Sequence, residues 1–126
     1  ALLLKHFAKH LPREGKSVFA SLSAKVGSIK DNQLGGWYAY RASKAALNMI
    51  LKNASIELAR KHKQLVVLGL HPGTVDTRLS RDFSGHIKHE IFTPEDATSR
   101  MLAAIDGADA SQTGSLMAYD GQILPF

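Results

Sequence analysis

An unbroken apolar segment, Leu65-Val66-Val67-Leu68-Gly69-Leu70, narrows the possible folds of this chain more than any other part of it. Its residues do not alternate between apolar and polar, as they would in a strand with one face in water. A strand of this composition is buried on both faces, which is typical of a parallel sheet covered by helices. The segment therefore predicts an α/β protein.

Helix and strand patterns alternate around this strand. Before it lie a helix over 1–11, a strand over 17–23 and a long helix over about 37–62. After it lie an irregular segment over 74–92 with short helical possibilities near Asp82, a helix from about 93 to 107 and a strand over 114–119. Thr93, Pro94 and Asp96 form the expected start of the last helix, with Thr93 as N-cap. This alternation predicts crossover helices between parallel strands. Three strands make a thin sheet, so we expect further sequence upstream.

Composition removes several classes of protein. The chain has 126 residues, a formal charge of +5 and no cysteine, so disulfides and thiol catalysis are excluded. No apolar run is long enough to cross a bilayer and no secretion signal is visible, so we expect a cytoplasmic protein without a membrane partner. The basic residues are scattered and lack interleaved aromatic residues, which makes a nucleic-acid partner the weaker interpretation.

Histidine pairs raise the question of a metal site. His6 and His10 are spaced to share a helix face, and His86 and His89 lie close together beside Glu90. A structural or catalytic metal needs at least a third ligand, and no spacing in the sequence supplies one. We therefore predict no metal.

A Tyr–Lys pair stands at the start of the long helix, after the flexible dipeptide Gly35-Gly36. Tyr40 and Lys44 are four residues apart, which places phenol and ammonium on one helix face, one turn apart. A nearby ammonium favours the charged phenolate, so the pair is suited to proton transfer. By itself the pair is also compatible with a packed tyrosine and a solvated lysine.

The surrounding motifs resemble the short-chain dehydrogenases/reductases, in particular their carbonyl-reductase-like branch. Nearly the whole chain takes part in the resemblance. The matching segments are Tyr40-Arg41-Ala42-Ser43-Lys44, as the Tyr-x-x-x-Lys motif, together with Gly27-Ser28-Ile29, Gly35-Gly36-Trp37, Pro72-Gly73-Thr74-Val75-Asp76-Thr77, Thr93-Pro94-Glu95 and Tyr119-Asp120-Gly121.

The resemblance implies a Rossmann-type sheet and NAD- or NADP-linked interconversion of a small carbonyl compound and its alcohol. Tyr40 would be the acid/base, and Lys44 would assist it and bind the nicotinamide ribose. Pro72, Gly73, Val75 and Thr77 would hold the nicotinamide. The segment 78–92 would act as a substrate lid, and family members usually form homodimers or homotetramers.

The serine of this family is harder to assign, because the usual Ser-Ser pair is replaced by Ser23-Ala24. Counting back from Gly27 places the substrate-binding slot on Ala24, whereas counting along the strand favours Ser23. Ser28 is a third candidate. We predict Ser23.

The resemblance also implies that residues 1–126 are the C-terminal catalytic half of one domain. The glycine-rich turn that seats the cofactor pyrophosphate does not occur in the sequence and is expected upstream of Ala1. The alternative is that the chain as given is a catalytically incompetent fragment that acts only as an association partner.

Overall fold

The computed structural model describes residues 1–81 and 90–126. Its strands are β1 (Ser17–Leu22), β2 (Leu65–His71), β3 (Thr74–Val75), β4 (Ile91–Phe92), β5 (Ser115–Ala118) and β6 (Ile123–Leu124). Its α-helices are α1 (Leu2–Phe7), α2 (Tyr38–Leu58), α3 (Arg78–Arg81) and α4 (Pro94–Gly107).

The main sheet has the order β1-β2-β5-β6, and β1, β2 and β5 are parallel. Leu22 of β1 lies opposite Leu70 of β2, and His71 of β2 lies opposite Ala118 of β5. The carboxyl ends of all three parallel strands therefore meet at one edge. The predicted α/β fold with a parallel sheet is confirmed.

The sheet has a fourth strand that the sequence did not predict. The chain turns at Asp120-Gly121, where Gly121 has a φ of +84°, and β6 then pairs antiparallel with β5. Two residues are too few to show an alternating pattern, which is why this strand is invisible in the sequence.

The apolar core lies on both faces of β2, as its composition predicts. Its side chains Val66, Leu68 and Leu70 pack on the α4 side with Met117, while Leu65 and Val67 pack on the α2 side. All six residues from Leu65 to Leu70 are buried. Helices therefore cover both faces of this central strand, and its polar backbone is paired within the sheet.

The start of α4 agrees with the prediction, whereas α2 ends earlier than the sequence predicts. Thr93 caps α4 as predicted, with its Oγ1 accepting a hydrogen bond from the Asp96 amide at 3.1 Å. Helix α2 ends at Leu58, four residues before the predicted end. The chain there folds into a turn in which the His62 amide bonds the Leu58 carbonyl and the buried His62 ring bonds the Pro12 carbonyl.

The prediction that 74–92 is irregular was wrong for its two ends. Thr74–Val75 and Ile91–Phe92 pair as parallel strands. Arg78–Arg81 form one turn of helix, next to the position near Asp82 where the sequence predicts a short helix. Strands this short have no sequence period, and they exist only because the tertiary fold brings the two segments together. The middle of the predicted substrate lid, 82–89, lies outside the described residues.

Candidate active site

The predicted catalytic residues lie at the carboxyl edge of the parallel sheet. Ser23 directly follows β1, and Tyr40 and Lys44 occupy the first two turns of α2. In open parallel sheets this edge is where ligands bind, because the loops there surround a crevice. The topology thus places the three residues in the region where chemistry is expected.

Lys44 is held against the end of β1. Its Nζ donates a hydrogen bond to the Leu22 carbonyl at 3.1 Å and lies 5.8 Å from the centre of the Tyr40 ring. An ammonium has three N–H donors, and the bond to Leu22 uses one of them. Tyr40 is 42% exposed, so the residue is open to solvent.

The close approach of α2 to the loop after β1 depends on Gly27. A Cβ on this residue would stand 2.7 Å from the Lys44 Cβ and 2.8 Å from its carbonyl carbon. Any side chain at this position would therefore push the loop away from α2. Gly27 fixes the distance between the loop and the helix that carries Lys44.

The Ser23 hydroxyl points into the protein. It is 4% exposed and donates a 2.6 Å hydrogen bond to Oδ1 of Asn48, one turn further along α2 than Lys44. The Ser23 amide also donates to the Leu70 carbonyl, which extends the pairing of β1 with β2. Asn48 is itself 4% exposed, and its Nδ2 has no partner among the described residues.

The other two candidate positions for the family's serine, Ala24 and Ser28, are both buried. Ala24 has no hydroxyl. Ser28 is 1% exposed, and its Oγ accepts a hydrogen bond from the Asp31 amide. Both Ser23 and Ser28 therefore have an established partner inside the fold.

The predicted nicotinamide segment begins where β2 ends. Gly73 has a φ of +76°, and a Cβ there would lie 2.8 Å from the Phe92 ring and 3.0 Å from the Tyr119 ring. These two rings meet edge to face at 4.7 Å, and the Arg100 guanidinium lies 4.5 Å above Phe92. Glycine is therefore required at position 73 both by conformation and by space.

Val75 and Thr77 lie in the short elements that follow. Val75 pairs with Phe92 in the two-stranded sheet, and the Asp76 amide bonds the Phe92 carbonyl. The Thr77 hydroxyl lies 3.2 Å from that of Ser80, and the Thr77 amide donates to the same Ser80 oxygen. Thr77 thus stands at the start of α3.

Sequence reasoning missed several residues at this edge. Asn48 was assigned to no role, although an Asn facing the core from an otherwise apolar helix stripe is a signal that could have found it. Arg41 was seen only as a variable position within the Tyr-x-x-x-Lys motif. The cluster of Phe92, Tyr119 and Arg100 comes from three separate elements, so only the fold brings it together.

His71, the last residue of β2, is another missed group. Its Nδ1 is buried and has no partner among the described residues. Burial lowers the pKa of His71, and the positive charge of Lys25 lowers it further, while Asp120 and Asp31 act in the opposite direction. His71 is therefore kept neutral near the site.

Neither a metal cluster nor a membrane-spanning helix was found in the part of the chain that the structure describes. No three His, Cys, Asp or Glu side chains in those residues come close enough to hold a metal ion. None of the helices there combines the length and the apolar character that crossing a bilayer requires.

Comparison with known proteins gives relatives of one kind. The chain is 40% identical over 114 residues to the 1-hydroxy-2-glutathionyl-2-methyl-3-butene dehydrogenase of Rhodococcus sp. strain AD45, covering 90% of this chain and 48% of that protein. No family model matches the chain. The chain spans about half the length of the curated relatives it matches.

Solved structures agree with this result. The carbonyl reductase Sniffer of D. melanogaster superimposes with a TM-score of 0.78 at 29% identity, over 99% of this chain and 49% of that one. The NADPH-bound carbonyl reductase from chicken fatty liver has a TM-score of 0.72 at 29% identity, over 88% of this chain and 43% of that one.

The resemblance predicted from the motifs is confirmed. The homologues and structural neighbours of this chain are oxidoreductases of the short-chain dehydrogenase/reductase family, including carbonyl reductases. Their Rossmann-type fold is the fold described above.

Proposed function

We propose that this chain is the C-terminal catalytic half of an NAD(P)-dependent oxidoreductase that interconverts a carbonyl compound and an alcohol. One observation carries the proposal: the Lys44 ammonium, fixed at 3.1 Å to the carboxyl end of β1, lies 5.8 Å from the ring of the accessible Tyr40. The NADPH bound to the chicken carbonyl reductase supports the choice of cofactor. The residues that would bind the pyrophosphate lie upstream in this proposal.

In this mechanism Tyr40 moves the proton. Its hydroxyl donates to the substrate oxygen during reduction and takes the proton back during oxidation. Lys44 stabilises the phenolate that forms, because a nearby cation favours the charged state of a phenol. The bound nicotinamide supplies or accepts the hydride.

The cofactor-binding roles in this proposal are those that the family resemblance implies. The donors of Lys44 that do not bond Leu22 would hold ribose hydroxyls. At the end of β2, Gly73 lets the backbone pack against the Phe92 and Tyr119 rings, and this packing shapes the segment that follows. Pro72, Val75 and Thr77 would bind the carboxamide of the nicotinamide.

Ser23 would orient the substrate oxygen in this proposal, and Asn48 bears on that role. The two ends of an amide are similar in size, so Asn48 can present either its oxygen or its NH2 group to the Ser23 hydroxyl. Only when the NH2 group faces Ser23 is the serine proton free for a substrate.

The test replaces Tyr40 by Phe in a complete domain, built by joining this chain downstream of the half of the Rhodococcus dehydrogenase that it does not cover. Loss of the phenolic proton is expected to lower kcat at least a hundredfold, in line with general acid catalysis. Tyr38→Phe, two residues away and 87% exposed, is the matched control and should keep its activity. Undiminished carbonyl reduction by Tyr40→Phe would sink the proposal.

A second candidate function, an association partner without catalysis, is favoured by two exposed surfaces. β1 stands at the edge of the sheet, and α1 presents Leu2, Leu3 and Phe7 at 72%, 65% and 58% exposure. Such surfaces usually pair with another chain or segment. Carbonyl reduction by the complete domain described above separates the two candidates, since activity that Tyr40→Phe loses counts against an association partner alone.

We also infer that the enzyme forms a homodimer or a homotetramer through α2. Met49 and Ile56 lie seven residues apart on one face of this helix and are 61% and 54% exposed. Sedimentation velocity of the complete domain should show a dimer or tetramer, and Met49→Lys should shift it toward the monomer. A monomer at all concentrations would contradict the inference.

A further inference from the structure

The loop that leads into α2 ends in an unusual backbone conformation. Gly35, Gly36 and Trp37 have φ values of +65°, +68° and +47° in succession. Among the described residues, Trp37 is the only one other than glycine with a positive φ. For a residue with a side chain this conformation costs roughly 1–2 kcal/mol, and it persists only where the surroundings enforce it.

Hydrogen bonds from the Arg41 side chain stabilise this loop conformation. Its Nε donates to the carbonyls of Gly35 and Gly36 at 3.2 and 3.1 Å, and its Nη1 donates to the Val26 carbonyl at 3.2 Å. The planar guanidinium therefore ties both ends of the loop to the first turn of α2. A lysine could not replace it, because lysine has one side-chain nitrogen, whereas Nε and Nη1 are two donors at separate positions in a rigid plane.

Arg41 also fixes the position of the tryptophan ring. Its Cζ lies 5.9 Å from the centre of the Trp37 ring, within the range of a cation–π contact. Trp37 is the N-cap residue of α2, and its carbonyl accepts a hydrogen bond from the Arg41 amide at 2.9 Å. The ring is thus held at the entrance of the helix that carries the proton donor.

Large apolar side chains are exposed along this loop. Their exposed fractions are 80% for Ile29, 90% for Leu34 and 56% for Trp37. Exposed apolar side chains in the segment that leads to the proposed proton donor are available to contact a ligand. The chemistry that fits it is a carbonyl compound with an apolar or aromatic substituent.

We propose that Arg41 is a positioning residue that holds Trp37 as the wall of the substrate cleft, and that this wall selects carbonyl substrates with an aromatic group beside the reacting carbon. The inference rests on the proposed oxidoreductase function, which it deepens by naming the substrate class. Arg41 acts through Trp37 and the loop, and does not itself touch the reacting atoms.

The kinetic test compares an aryl ketone with a small aliphatic ketone in the complete domain. Trp37→Gly removes the ring while glycine retains the positive φ, so the loop keeps its shape. The KM for the aryl ketone is expected to rise about tenfold, and by clearly more than the KM for the aliphatic ketone. Arg41→Ala and Arg41→Lys should show the same selective loss. Equal effects on both ketones, or none, would overturn the proposal.

A spectroscopic test uses the 126-residue chain itself, because Trp37 is its sole tryptophan. Arg41→Ala and Arg41→Lys should both shift its fluorescence maximum and increase its quenching by acrylamide. Arg60→Ala, an exposed arginine just beyond the end of α2, is the matched control and should change neither. Unchanged emission in both Arg41 variants would overturn the positioning role.

The two proposals fail in different ways. If Tyr40→Phe retains activity, the proposed function is wrong, and the fluorescence of the Arg41 variants still decides whether Arg41 positions Trp37. If Tyr40→Phe is inactive while Trp37→Gly keeps the preference for the aryl ketone, only the inference about substrate choice is wrong.

Discussion

At the scale of single residues, Lys44 owes its position to the neighbours that surround it. The Leu22 carbonyl receives its ammonium, and Gly27 lets the loop lie against its backbone. Protein interiors are packed so densely that one added carbon atom changes the stability of the fold. The geometry of the proposed site therefore depends on a glycine that has no chemistry of its own.

Gly27→Ala should disturb this packing. The new methyl group would lie within 2.7 Å of the Lys44 side chain and 2.8 Å of its backbone, so we expect a loss of about 1–3 kcal/mol in the free energy of unfolding. Urea denaturation measures this loss. Gly107→Ala is the matched control, since a Cβ there meets nothing within 4 Å. Equal free energies of unfolding for Gly27→Ala and Gly107→Ala would contradict the prediction, because the loop would then have moved to accommodate the methyl group without loss of stability.

Ser23 and Asn48 should behave as a coupled pair. Removing either partner leaves a buried polar group unsatisfied, which costs about 1–3 kcal/mol. Ser23→Ala, Asn48→Ala and the double variant, compared by urea denaturation, should give effects that are not additive. Ser43→Ala, which loses an exposed helix hydroxyl, is the control. If Ser23 also orients the substrate, Ser23→Ala lowers kcat more than Asn48→Ala.

At the scale of secondary structure, α4 is stabilised at both of its ends. Thr93 caps its first turn, with Pro94 and Asp96 following in the expected positions. At its other end the Lys16 ammonium donates to the carbonyls of Ile105 and Asp106 at 3.0 and 2.6 Å. A cation at a helix C-terminus also interacts favourably with the helix dipole.

Thr93→Ala should therefore destabilise the protein by about 1 kcal/mol, because it removes the oxygen that accepts the Asp96 amide. Thermal unfolding by circular dichroism measures the change, and Thr93→Ser should restore most of it. Thr98→Ala is the matched control: its hydroxyl bonds back to the Pro94 carbonyl inside the helix, where such a bond adds little stability. If Thr93→Ala destabilises the protein no more than Thr98→Ala does, the assignment of Thr93 as the N-cap of α4 is contradicted.

At the scale of the whole molecule, stability should depend on pH through His71. The folded state lowers the pKa of His71, chiefly by burial and also through Lys25. In the unfolded chain His71 binds a proton as the pH falls through about 6.5, whereas in the folded chain it binds one only at a lower pH. The contribution of His71 is therefore full above that pH and declines below it.

His71→Gln should flatten this dependence. Between pH 7.5 and 5.5 the midpoint of thermal unfolding of the parent chain should fall further than that of the variant, because the variant has no imidazole to protonate. His10→Gln, at an exposed position in the first segment of the chain, is the control and should follow the parent. Parallel curves for the parent and His71→Gln would contradict the prediction.

Much of the fold followed from patterns within single segments. The composition of β2 predicted its burial on both faces, and Thr93 and Pro94 predicted the start of α4, since both signals depend on neighbours along the chain. The Tyr–Lys spacing likewise predicted that Tyr40 and Lys44 share a helix face. These are short-range properties, so the sequence alone determined them.

The tertiary structure decided what depends on distant residues. The strands β3, β4 and β6 have too few residues to carry a pattern, and they form only where other segments meet them. The bond from Ser23 to Asn48 spans 25 positions, and the loop held by Arg41 depends on the carbonyl of Val26, 15 positions away. Partners so far apart are chosen by packing, which no local pattern encodes.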